Sequence, residues 1–248
     1  MMAGATLVAV AATAWALGDP DSAQIISVSS AQSTGSAGAP VLVELFTSQG
    51  CSSCPPADRV LERLDAAGGV IALSRPVTYW DRLGWKDTLA RPGNDVRQRR
   101  YAARGLPGGG VYTPEAVVQG EQAAVGSDER KVRAMIAAAR RDKAVAVTQS
   151  GDRITVAQAA PGAELNFIAI ARRRDVGIKA GENGQRQLGY TNVVLNEAAV
   201  ACAAAGACSA TIPSAIAGQR GADRWAVVLQ TANNGPVQAV RWISRAAK

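Results

Sequence analysis

The stretch VLVELFTSQGCSSCPPADRVLERL, residues 41–64, decides the fold. Its first six residues are apolar except for Glu44, as in a strand covered on both faces. Ala57, Val60, Leu61 and Leu64 follow at helical spacing and share one helix face. VIALS, residues 70–74, reads as a second buried strand. Strand, helix, strand at this length predicts a parallel pair with a right-handed crossover. Cys51 and Cys54 then fall at the turn from strand to helix.

That placement matters chemically. The first backbone N–H groups of a helix lack intrahelical partners and carry partial positive charge. A thiolate held there is stabilised. Pro55 and Pro56 suit the first helical turn, where an N–H is not needed. Cys51 is therefore expected as an exposed thiolate and Cys54 as the resolving thiol behind it. A CxxC pair also admits two other readings, half of a metal site or a structural staple. Glu44, seven residues before Cys51 and mid-strand, has two readings as well. A buried carboxyl of raised pKa could exchange a proton with Cys54; otherwise it reaches solvent or pairs with an arginine.

Downstream, RPVTYWDRLGWKD, residues 75–87, places Tyr79, Trp80 and Trp85 in a connecting segment. These aromatics could wall a groove beside the cysteines, or cover the sheet end as ordinary packing. Residues 95–104 read as a basic helix. Thr113-Pro114 precedes the strand EAVVQG, and a proline there can be cis. EQAAVG pairs with that strand as a hairpin turning at Gly120. A helix is predicted over 128–142, with Ser127 as N-cap, Asp128 and Glu129 in the first turn and Arg140 and Arg141 in the last.

The resulting order, β-α-β-α-β-β-α, resembles that of thioredoxin. The resemblance rests on CSSC after the first strand and on Thr113-Pro114 before the third. It implies that Pro114 faces the cysteine pair, that the Thr113 backbone holds a substrate peptide, and that Glu44 corresponds to the buried acid of thioredoxin. A closer resemblance covers about residues 41–243. VELFTSQGCSSCPPAD, YWDRLGWKD, RQRRYA, VYTPEAVVQG, VGSD and GENGQRQLGYTNVV resemble a bacterial family of exported thioredoxin-like proteins catalogued as domain of unknown function 1223. The chain departs from that pattern at three positions. Pro76 and Thr78 stand where a histidine and an aspartate are usual, and Gln119 where an aspartate is common.

Composition narrows the chemistry. The chain has 248 residues, a formal charge of +7 and no histidine. Without histidine, Ser-His-Asp and Cys-His catalysis are excluded, and the commonest metal ligand is missing. The basic clusters at 97–100, 140–143 and 172–174 are scattered and lack interleaved aromatics, which reads as a solvated basic surface rather than a nucleic-acid face. No P-loop, dinucleotide fingerprint or internal repeat is present.

Residues 1–18 read as a signal-peptide-like segment, with an apolar run over 3–17 and a small-x-small pattern at Ala14-Trp15-Ala16. Residues 19–40 form a Ser/Ala/Gly-rich lead-in expected to be disordered. Export favours oxidised cysteines. The simplest of three pairings joins Cys51 to Cys54 and Cys202 to Cys208, the latter as a structural staple.

From residue 144 the pattern changes to short strands. AVAVTQ and RITVAQ flank a hairpin turn, and LNFIAIAR, QLGYTNVV, RWAVVLQT and VQAVRWIS follow. The fold class expected is α/β, a thioredoxin-like domain over 41–143 followed by a small β-sandwich-like domain over 144–248. The function expected is an exported, periplasmic or secreted thiol–disulfide oxidoreductase. Cys51, Cys54, Glu44 and Pro114 would be catalytic, and Thr113, Tyr79, Trp80 and Trp85 would bind substrate. It would act on a protein or small-molecule disulfide or thiol, with no cofactor, no metal, no nucleic acid and no stable membrane insertion after signal removal. The alternatives are a non-catalytic interaction module with a structural disulfide, and a copper(I)-binding protein.

Overall fold

The computed structural model describes residues 39–140 and 145–245. The signal-like segment and all but the last two residues of the lead-in lie outside it. The chain forms a large mixed sheet and a small second sheet. Strand β1 (Val41–Thr47) runs parallel to β2 (Val70–Pro76), with helix α1 (Pro55–Ala67) as the crossover. Helix α2 (Pro92–Ala103) leads to β3 (Glu115–Val118), which pairs antiparallel with β1 and turns into β4 (Gln122–Val125). Helix α3 (Glu129–Ala139) closes this half. Its N-cap is Asp128, whose carboxylate accepts the Lys131 N–H at 3.0 Å, rather than Ser127. It ends at Ala139, with Arg140 already extended, so the expected span to 142 is too long.

Strand alternation decides what each face of β1 meets. Val41, Val43 and Leu45 point to one side, where Ala57, Val60, Leu61 and Leu64 of α1 and Val132, Met135 and Ile136 of α3 pack on them. Leu42 and Phe46 point to the other, Phe46 against Tyr101 of α2. Burying each of these large side chains stabilises the fold by about 1.5–3 kcal/mol. At Gly126 a Cβ would sit 2.5 Å from Leu45 Cδ1, so a side chain here would push Leu45 out of its place in this core.

The second half differs from the expected separate domain. Strands β5 (Val147–Ser150), β6 (Arg153–Ala159) and β9 (Gly206–Thr211) form the small sheet. Strands β7 (Ala163–Gly177), β8 (Gln187–Ala201), β10 (Arg224–Thr231) and β11 (Val237–Ile243) instead extend the first sheet, in the order β11-β10-β7-β8-β2-β1-β3-β4. A short helix, α4 (Ser214–Ala217), precedes β10. The boundary at 143/144 therefore separates no sheets. The seam is β2 against β8, parallel at Ser74 and Val193, where buried Asn192 donates to the Ala72 carbonyl at 2.9 Å. The sandwich is real but shared. Ile154 and Val156 of the small sheet pack on Leu165, Phe167, Val227 and Leu229 of the large one. The Cys202–Cys208 disulfide joins β8's end to β9 at the rim of that core.

Among the described residues, no helix is long and apolar enough to cross a membrane.

Candidate functional site

The carboxyl end of β1 gathers the predicted residues. Thr47 pairs with Pro76 at the end of β2, and Phe46 with Glu115 at the start of β3. The loops carrying the cysteines, the aromatic segment and Thr113-Pro114 therefore leave the sheet at one end. Cys51 and Cys54 are joined in a disulfide at the N-terminus of α1. Cys54 is the N-cap and Pro55 follows it; the N–H groups of Ala57 and Asp58 donate to the Cys54 carbonyl at 2.8 and 3.1 Å. The Ser53 hydroxyl lies 3.3 Å from Cys51 Sγ, so it can donate a hydrogen bond to that sulfur.

Cys51 is not exposed, contrary to the sequence expectation. Both cysteines are 0% accessible. The tip of the β7–β8 hairpin, the polar, glycine-rich segment 178–186, is bonded to the cysteine turn. Asn183, itself fully buried, donates to the carbonyls of Gln49 and Cys51 at 3.0 and 2.9 Å. Glu182 accepts the Ser52 N–H at 3.0 Å. Arg186 donates to Asn183 Oδ1 at 2.6 Å and fixes its orientation.

The aromatic segment holds the same loop from the other side. Trp85 Nε1 donates to Gln49 Oε1 at 2.8 Å, and Trp80 Nε1 to Thr113 Oγ1 at 2.8 Å. Trp80 Cβ lies 3.2 Å from where a Cβ on Gly50 would sit, so the tryptophan packs directly on the cysteine loop. The Tyr79 hydroxyl donates to Gln98 of α2 at 3.2 Å. The Thr113-Pro114 peptide is cis. Glu115, the next residue, is buried; it accepts from Gln98 at 2.7 Å and from the Gly110 N–H at 3.0 Å, and burial pushes its carboxyl up to about 7.

Glu44 is not with them. It points to the α2 side of the sheet, opposite α1, because it alternates with Val43 and Leu45. There Arg75 and Arg97 both donate to Oε1, and Tyr101 donates to Oε2. The same two arginines reach Glu197 at 2.8 and 3.1 Å. Burial alone would raise the Glu44 pKa, but Arg97 and then Arg75 outweigh it and hold the carboxyl below its ordinary range. Of the two sequence readings, the arginine pairing is the one present. A carboxylate so held is a poor proton exchanger for Cys54.

Two acids that the sequence reading passed over do sit at the site. Asp58, one turn after Cys54, is buried beside Thr47, Asp87 and Tyr190. Burial raises its carboxyl to about 8, and the Asp87 charge adds to the rise. Asp87 accepts the Gln49 N–H at 2.8 Å and those of Leu89 and Ala90 at 2.8 and 3.1 Å; burial raises it to about 6 against those bonds. The signal for Asp58 was available, since Cys54, Asp58 and Leu61 lie at i, i+4 and i+7 on one helix stripe. For Asp87 only its place in the aromatic segment pointed there.

The departures from the family pattern divide. Thr78 donates its N–H to Asp95 at 2.9 Å and its hydroxyl to the same carboxylate, tying the aromatic segment to α2. Gln119 lies at the far end of β1, where its side chain accepts the Leu42 N–H at 2.7 Å. It is a backbone clamp remote from the cysteines.

No group of three or more metal-ligating side chains occurs among the described residues.

Comparison with known proteins places the chain. The family described as "Protein of unknown function (DUF1223)" matches residues 42–230, and the chain belongs to that family. No curated protein matches it. A crystal structure of an Agrobacterium tumefaciens protein is 29% identical, with a TM-score of 0.69, over 85% of this chain and 96% of that one. HBP35 of Porphyromonas gingivalis is 15% identical, with a TM-score of 0.49, over 85% of this chain and 76% of that one.

Proposed function

We propose that this DUF1223 member is an exported thiol–disulfide oxidoreductase whose first half is thioredoxin-like. One observation carries the reading: the Cys51–Cys54 disulfide caps the N-terminus of α1 at the sheet end where Thr113-Pro114 and Trp80 also lie. The element order β-α-β-α-β-β-α supports the thioredoxin-like part. Two disulfides fit an oxidising compartment.

The chemistry is thiol–disulfide exchange. A thiolate attacks one sulfur of a disulfide, the S–S bond breaks, and the electron pair leaves on the other sulfur. In the reduced protein Cys51 would be that nucleophile, with the Ser53 hydroxyl donating to its thiolate, and Cys54 would resolve the mixed disulfide. The substrate is a disulfide or thiol on a protein or small molecule. Because Cys51 is buried, reaction requires the packing over it to open, and the 178–186 segment is one part of that packing bonded to the cysteine turn.

The test is reduction of insulin or a small aromatic disulfide, with Cys51→Ala and Cys54→Ala as controls. Turnover that both substitutions abolish supports the reading; a wild type no more active than the two variants overturns it. The buried pair and its cover favour a second reading, an interaction module with a permanent disulfide. A reduction potential below about −300 mV for Cys51–Cys54 would select that one.

A further inference from the structure

Asp58 is a buried carboxyl on α1. Its Oδ1 is buried and has no hydrogen-bond partner among the described residues. The Thr47, Ser74 and Tyr190 hydroxyls are likewise buried and unpartnered. Thr47 is near enough to favour the ionised form, second only to burial in its effect on Asp58, but the two side chains make no hydrogen bond. Leaving such a group buried is unfavourable by about 1–3 kcal/mol, and a leucine or asparagine would remove the charge problem. Unpaired buried carboxyls persist where a proton is to be moved.

Its place fits that role. Cys54 has helical dihedrals, and Asp58 stands four residues on, so their Cβ atoms are about 6 Å apart on one stripe. Thr47 follows Leu45 on the α1 face, so Asp58 lies beneath the cysteine turn and on the face that Glu44 avoids. The groups facing it are known. Asp87 approaches from the loop after β2, Tyr190 from β8, and Arg59 from α1 itself. A surface crevice of about 200 Å³, lined by Pro55, Asp58, Arg59, Glu62 and Arg173, leads from it to solvent.

We infer that Asp58 is the proton donor to Cys54 when the disulfide opens, and the acceptor of that proton when it closes. The inference rests on the redox reading above. An incoming thiolate bonds to Cys51 Sγ, and the Cys51–Cys54 bond breaks. The electron pair passes to Cys54 Sγ, which takes the proton of the Asp58 carboxyl, directly or through one water. Asp58 is left ionised. A second substrate thiolate then attacks the substrate sulfur of the mixed disulfide and expels Cys51 as thiolate. The substrate dithiol is oxidised by two electrons and the protein disulfide reduced. With its pKa raised to about 8, Asp58 holds its proton at neutral pH and is matched to a thiol.

The experiment is opening of the disulfide in the full chain by dithiothreitol from pH 6 to 10, with rates divided by the reagent's thiolate concentration. In wild type this corrected rate should be flat, then fall above about pH 8 as Asp58 ionises. Asp58→Asn should be slower at pH 7 by about a hundredfold and lose the break. Asp87→Asn should keep the break but move it to lower pH, since a negative neighbour is gone; a merely structural role would not move it. Glu44→Gln should leave the break in place. An Asp58→Asn protein with the wild-type rate and profile overturns this role alone. A wild-type disulfide that no thiolate opens overturns the redox reading and this role together.

Discussion

Asn183 Nδ2 lies 2.9 Å from the Cys51 carbonyl oxygen, a contact between residues 132 apart in sequence. The hairpin that carries Asn183 belongs to the half of the chain that does not hold Cys51 and Cys54, so that half contributes contacts over the pair. Two buried hydrogen bonds, each worth about 0.5–1.5 kcal/mol, hold the cover closed from this one side chain. Asn183→Ala should therefore speed reduction of Cys51–Cys54 by about tenfold. Alkylation of the freed thiols followed by peptide mass spectrometry reads it, with Cys202–Cys208 in the same sample as reference. An unchanged rate would show that the segment does not gate the pair.

Among the described residues, Ser53 is the one side chain within hydrogen-bond reach of Cys51 Sγ. Pro55 and Pro56 supply no N–H, and the N–H groups of Ala57 and Asp58 are already used by the Cys54 carbonyl. The hydroxyl is thus an important donor to a reduced Cys51. Hydrogen bonds to charged groups contribute about 1.5–3 kcal/mol. Ser53→Ala should lower the thiolate fraction of Cys51 and slow its alkylation by iodoacetamide at pH 7 by about tenfold, without altering the alkylation of reduced Cys54 in the same protein. Equal alkylation rates in Ser53→Ala and wild type would remove Ser53 from the site.

The local elements were legible because their signals are local. VLVELF, the Ala57–Leu64 stripe and the SGDR hairpin each carry their period in a few residues. β9, GACSAT, was missed because glycine, alanine and serine have little strand preference; pairing with β6 makes it a strand. The shared sheet was missed for a different reason. Its seam rests on one parallel pair, Ser74–Val193, and on Asn192 reaching Ala72, and no periodicity announces either. For Glu44 the sequence leaves two readings open, although the alternation decides between them. If Val43 and Leu45 face α1, then Glu44 cannot.

Glu44, Arg75, Arg97 and Glu197 form a buried charge network between β1, β2, α2 and β8. Removing one charge strands its partners. Glu44→Gln should destabilise the protein by about 3–5 kcal/mol in urea melts. Acid should act on the same network. The Glu44 and Glu197 pKa values are depressed, Glu197 to about 2, so their stabilisation is present above about pH 4.5 and is lost as pH falls through the folded values. Arg97→Met alone should behave like Glu44→Gln, leaving a buried carboxylate short of a partner. A loss below about 1 kcal/mol in either variant would contradict this account.

Asp58 and Asp87 run the linkage the other way. Their carboxyls are raised from 3.8 to about 8 and about 6, so the folded state binds protons that the unfolded chain has released. Stability from this source is complete below about pH 3.8 and declines as pH rises through 6 and 8. Against the acid loss from Glu44 and Glu197, the oxidised protein should be most stable at mildly acidic pH and weaken toward pH 8. Asp58→Asn keeps the shape and removes the charge, so it should flatten that decline and stabilise the fold at pH 8 by at least about 1 kcal/mol. Urea melts at pH 5 and pH 8 decide it. If the mutant loses stability between those two values as steeply as wild type, Asp58 does not carry a raised pKa in the folded protein.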